Sequence, residues 1–238
     1  MFECLILALI FVDSIVGFVS GFGTSTLLLP ILLLWYPIGT ALILTGFVHL
    51  LNNIGKAGLF FRQTSWRFLL IFGLPAVILS IIGAQFVFII DRAILARIIG
   101  LLLLVYVVAK VGWNRTITIK KIGYLAIGGG FYGLMEGLTG IGGALRAALL
   151  NAYDMTPGTF IATNGFIALF VDLARLATYT SNQTVYTFTW WFYGLVACTT
   201  LAGAWAGKYI VDYLPAKYIK TIVLIVITLA SIKLLIAP

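Results

Sequence analysis

The chain has 238 residues, 62% of them hydrophobic and only 9% charged, with a mean hydropathy of +1.14. A soluble domain carries about 25% charged residues, so a water-soluble globule is excluded. The surplus of 15 Lys plus Arg over 7 Asp plus Glu therefore has no soluble basic face to form, and nucleic acid is not an expected partner; in a membrane protein such residues mark cytoplasmic loops. Strands of a transmembrane barrel would alternate with period two, and the run Leu27-Leu28-Leu29-Pro30-Ile31-Leu32-Leu33-Leu34 does not. The expected fold class is an all-α polytopic bundle in lipid.

Taken in chain order, the apolar segments run roughly over 2–19, 25–36, 39–61, 67–90 and 93–111, and again over 122–138, 143–152, 158–179, 186–208 and 216–235. The first lacks the positive n-region and cleavage site of a signal peptide and reads as a retained helix. The second segment of each set has only about 10 to 12 residues, which at 1.5 Å each is under 20 Å and too short for a hydrocarbon core of about 30 Å. Each is expected to be a half-helix or part of a re-entrant element. Both follow a glycine-rich break, Ser20-Gly21-Phe22-Gly23-Thr24-Ser25 and Thr139-Gly140-Ile141-Gly142-Gly143.

The two sets are related by a shift of 119 residues. It lays Ser20-Gly21-Phe22-Gly23 on Thr139-Gly140-Ile141-Gly142, Gly39-Thr40 on Gly158-Thr159, Gly46-Phe47 on Gly165-Phe166 and Lys56 on Arg175. With one or two inserted residues, Gly83-Ala84 falls on Gly203-Ala204 and Asp91 on Asp212. Shared composition alone would not keep glycines and charges in register. The expected organisation is a first transmembrane repeat over 1–112, a basic cytoplasmic linker over 113–121, and a second repeat over 122–238. Basic residues gather at Arg62 and Arg67, at Lys110, Arg115, Lys120 and Lys121, and at Lys208, Lys217 and Lys220. Placing these loops in the cytoplasm inverts the second repeat and puts both termini outside.

Inverted repeats with broken helices place a binding site near the midplane. A helix that starts inside the membrane exposes unpaired N–H groups and a positive dipole end, which favours an anion. Candidate ligands at the breaks are Ser20, Gly21, Gly23, Thr24 and Ser25, then Thr139, Gly140, Gly142, Gly143 and Arg146. The competing reading is that each Gly-x-Gly only lets helices pack closely. On the third segment His49, Asn52, Asn53 and Lys56 share one helix face at i, i+3, i+4, i+7, and Thr45 extends it by a turn. Their counterparts are Asn164, Asp172 and Arg175. Charges at bilayer depth face a cavity or a partner. Asp172 and Arg175 can pair with each other, and Lys56 and Arg175 can snorkel to headgroups. Glu136 and Asp172 are candidate proton carriers or static counter-ions to Arg146 or Arg175, and Asp13 is a weaker case of the same kind. The sequence holds no metal-ligand cluster, no cofactor motif and no nucleophile–base constellation. Cys4 and Cys198 lack metal or redox spacing. An enzyme is therefore not expected.

The motif Gly17-x-x-Ser20-Gly21-x-Gly23 followed by Leu27-Leu28-Leu29-Pro30, with a looser second copy from Gly137 to Gly143 and a basic linker between them, resembles the TauE/SafE sulfite exporter family, also called the four-toluene sulfonate uptake permease family. The second copy departs from the pattern, with Arg146-Ala147-Ala148 where a proline-bearing run is expected. The resemblance covers essentially the whole chain. It implies a secondary transporter of sulfite, sulfonates or organosulfur carboxylates in a bacterial or archaeal inner membrane, with H+ or Na+ as the candidate coupling ion. Composition and spacing by themselves reach only a small anion. A channel-like or auxiliary membrane component for another small anion is the alternative.

Overall fold

The computed structural model describes residues 2–20, 25–59, 61–112, 123–153, 155–181, 188–210 and 216–236. Within them the regular structure is helical and falls into ten main segments: α1 Phe2–Ser20, α2 Ser25–Leu32, α3 Ile38–Leu59, α4 Trp66–Phe86, α5 Arg92–Gly112, α6 Gly123–Thr139, α7 Gly143–Asn151, α8 Pro157–Thr180, α9 Trp190–Ile210 and α10 Ala216–Ile236. Gly21, Gly23, Thr24 and the linker 113–121 lie outside the described residues, as do the side chains of Ser20, Ser25 and Lys56.

The ends of these segments have local causes. The last regular turn of α2 closes at Leu32, and single turns carry the chain to Tyr36, because Pro37 biases its predecessor away from helix. Asp91 accepts from the Ala93 and Ile94 N–H groups at 2.9 and 3.2 Å, starting α5. Thr156 accepts from the Thr159 N–H at 3.3 Å ahead of Pro157, starting α8. In α4 the turn Leu69–Gly73 widens to a π-helix just before Pro75. Proline has no N–H and its ring presses on the carbonyl four residues back, and a π-bulge relieves both. The sequence-based expectation ran α4 on to residue 90, whereas the chain beyond Phe86 makes only short turns.

Among the described residues four segments, α3, α4, α5 and α8, are long and apolar enough to cross a membrane. Side chains such as Ile78, Leu101, Leu229 and Trp205 are exposed on the outside of the bundle, as lipid contact requires. In α2 and α7, 8 and 9 residues span only about 12 and 14 Å.

Four pairings hold the bundle: α1 with α9, α4 with α6, α3 with α8, and α5 with α10. The α4–α6 pair is backbone on backbone. A Cβ added to Gly129, Gly133 or Gly137 would meet the carbonyl oxygen of Phe72, Ala76 or Ser80 respectively, and one on Gly83 would meet that of Leu134. Both sets of three advance by four residues in the same direction, so α4 and α6 run parallel. The α3–α8 pair runs the other way: Gly46 lies against Leu176, and Asn53 reaches Asp172.

A buried charge cluster beside the second break

The second break is built from its own backbone. The Thr139 hydroxyl donates to the Met135 carbonyl at 2.7 Å and accepts from the Ile141 N–H at 3.3 Å. The Gly140 N–H closes the last turn of α6 on Glu136 at 2.8 Å, and Gly140 then takes φ +68°, a conformation that glycine adopts at little cost. Gly142 precedes α7 without a side-chain cap. A Cβ there would meet Glu136 Oε2 and the Tyr132 ring, so the carboxylate lies over the start of α7.

Around this turn sit five ionisable groups from four helices. Arg175, 0% exposed, bridges Asp172 at 2.8 Å and Glu136 at 3.4 Å. Its Nη2 also lies 3.4 Å from His49 Nδ1, while its Nη1 has no hydrogen-bond partner among the described residues and lies 3.2 Å from where a Gly140 Cβ would stand. Asp172 takes a further hydrogen bond from the Asn53 amide at 2.9 Å. Arg146, one turn into α7 and 6% exposed, is held differently. Its Nε donates to Asn164 Oδ1 at 2.7 Å, one terminal nitrogen donates to the Tyr132 hydroxyl, and the guanidinium lies 5.2 Å from the Tyr132 ring centroid. Arg146 makes no ion pair among the described residues.

Of the residues singled out in the sequence, His49, Asn53, Glu136, Asp172 and Arg175 thus meet directly, and Arg146 with Asn164 forms a second group on the same turn. Asn52 turns away, its amide donating to Val48 of its own helix at 3.1 Å. The Thr139 hydroxyl is likewise taken up by its own helix. Two tyrosines were not anticipated. Tyr132 holds Arg146, and the Tyr179 hydroxyl donates to the Gly137 carbonyl. Tyr132 stands four residues before Glu136 and Tyr179 four after Arg175, a helical neighbour spacing that would have flagged both.

His49, Glu136 and Asp172 offer three ligand atoms within 4.8 Å of one another, which by count alone could hold a metal ion. The Arg175 guanidinium touches all three, so the position of a cation is already filled by a fixed one.

A multi-helix apolar bundle with ion pairs sealed at a helix break belongs, by its build, to the polytopic membrane proteins. The chain belongs to the sulfite exporter TauE/SafE family, whose model matches residues 5–234; this is a family of membrane transporters, not of enzymes. No curated protein and no solved structure matches the chain.

Proposed function

We propose that the chain is a secondary transporter of small sulfur-containing anions, working by alternating access between two inverted halves over 1–112 and 122–238. The observation that carries the anion reading is Arg146. A buried guanidinium whose direct partners are a phenol and an amide forms no ion pair among the described residues, with Glu136 acting on it only from a distance, whereas Arg175 bridges two carboxylates directly. Guanidinium geometry suits the paired oxygens of a sulfite or sulfonate, and the amino end of α7 adds its own positive dipole. The site proposed combines Arg146 and the Thr139–Gly143 turn with His49, Asn53 and Asn164.

Two features support the inverted arrangement. The α3–α8 pair is antiparallel, as equivalent helices are about an axis in the membrane plane. Asn53 and Asp172, which hydrogen-bond to each other, are 119 residues apart, the spacing of the sequence repeat. In this reading the membrane is the inner membrane, both termini face outward, and H+ or Na+ drives the cycle.

The test is radiolabelled sulfite and methanesulfonate counterflow in proteoliposomes. Saturable exchange is expected in the wild type, with a loss of at least tenfold in Arg146→Ala and a smaller loss in Asn53→Ala. Exchange that both variants leave unchanged would overturn the site.

A further inference from the structure

One buried acid lies outside the Arg175 cluster. Asp13, midway along α1, is 2% exposed, and among the described residues neither of its carboxylate oxygens has a hydrogen-bond partner. The ion pairs among the described residues are both made by Arg175, so none reaches it. The backbone N–H of Leu28, in the first turn of α2, is directed at it and eases its charge without reaching hydrogen-bond geometry. Two further hydroxyls, Ser14 Oγ on α1 and Thr200 Oγ1 on α9, are fully buried and have no hydrogen-bond partner among the described residues. Ser14 lies at the α1–α9 contact, its Cβ 2.8 Å from where a Gly203 Cβ would stand.

The helices packed against α1 are α2, α3, α9 and α10. Among their described side chains α2 carries no titratable group, and His49 of α3 is engaged with Arg175. Tyr193 of α9 packs edge-on against Phe47 and Phe188, while Cys198, Tyr209 and Lys233 are exposed. On α1 itself Glu3 and Cys4 are exposed.

An ionised carboxylate removed from water without a counter-charge is costly enough that the group neutralises instead. Glu136 and Asp172 share the Arg175 cation, and Arg146 stands on the same turn as a second positive charge. Among the described side chains no cation faces Asp13, which leaves a proton to do the same. A metal cation would need several oxygen ligands, and the α1 carbonyls on either side are committed to a helix unbroken from Phe2 to Ser20. In the 119-residue register Asp13 corresponds to Tyr132 and Leu27 to Arg146. Where the second half has a phenol on a guanidinium, the first has an acid and an apolar residue.

The position of Asp13 also makes its environment changeable. It sits before the first break yet lies against α2, which comes after it, so any movement of α2 on α1 alters its access to water.

We infer that Asp13 is an exchangeable proton site, and that it, rather than Glu136 or Asp172, carries the proton coupled to anion movement. The coupling role rests on the transport reading above, while the proton site does not.

The test uses the whole protein in lipid bilayers. Infrared spectra at neutral pH are expected to show a protonated-carboxyl band that shifts in heavy water and disappears in Asp13→Asn. Should that variant fail to fold, Asp13→Glu keeps the acid and is expected to move the band without removing it. With methanesulfonate, which takes up no proton near neutral pH, and a pH dye inside vesicles, protons moved per anion are expected to fall at least tenfold in Asp13→Asn. A band that survives Asp13→Asn, stays put in Asp13→Glu or does not shift in heavy water overturns the proton site. An unchanged proton-to-anion ratio overturns the coupling role. If the wild type moves no anion, the transport reading fails and the infrared result alone decides Asp13.

Discussion

The α4–α6 and α3–α8 seams are closed by different physics. In the first, Gly129, Gly133 and Gly137 bring one helix backbone onto another, with no side chain between them at those three points. In the second, Asn53, His49, Asp172 and Arg175 meet across the contact, and Glu136 reaches in from a third helix. Lipid offers no hydrophobic drive for helices to associate, so close van der Waals approach and polar contacts must do it. The glycine seam has one low-energy register, because carbonyl oxygens stand where any Cβ would go. The charged seam is held by groups that could exchange partners if an anion entered. In the proposed alternating-access cycle the glycine seam is the one expected to stay and the charged seam the one expected to rearrange.

Substitutions can break this contrast, and the largest effect is expected at Arg175. Arg175→Met leaves Glu136 and Asp172 buried without their cation, a loss of about 3–5 kcal/mol that thermal unfolding in detergent would read as a sharply lowered midpoint. Adding Glu136→Gln and Asp172→Asn to that variant is expected to recover part of the loss, since no orphaned charge then remains.

Gly133→Ala comes next. Its added methyl would overlap the Ala76 carbonyl, and the Ala76 Cα lies 2.6 Å from the new Cβ position. Forced overpacking costs about 1–3 kcal/mol, and the same unfolding assay should show it with no rescue by charge changes. A tolerated alanine here would mean that the seam is not fixed.

Asn53→Ala removes one hydrogen bond to Asp172 while leaving Arg175 in place. Membrane double-mutant cycles put such contacts near 0.6 kcal/mol, so a shift in midpoint of a degree or two is expected. Leu229→Ala, on a lipid-facing position, is expected to change the midpoint least, because the side chain exchanges one apolar contact for another.

Much of this was legible beforehand, for reasons visible in particular residues. The ten segments could be drawn because apolar length and punctuation report directly on a low-dielectric solvent. The short second segments could be found because about 10 to 12 residues cannot span lipid. The His49–Asn53 face and the Asp172–Arg175 pair followed from helical spacing, which is local. The Glu136–Arg175 bridge could not be chosen over Glu136–Arg146, since both partners were available and only the fold of the Gly140 turn selects between them. The same holds for Asn52, whose spacing matched its neighbours but whose amide bonds its own helix.

By itself, then, the sequence determined the solvent, the helix count, the places where helices break and which residues share a face. Those properties depend on composition and on the 3.6-residue period. The tertiary structure alone decided which charges are answered. Arg175 is shared between two carboxylates, Arg146 bonds a phenol and an amide, and Asp13 is sealed without an ion pair among the described residues, with the Leu28 backbone beside it. Pairing of that kind depends on distances between segments far apart in the chain, and a one-turn slip of α8 along α3 would reassign Arg175 and its partners without changing a residue.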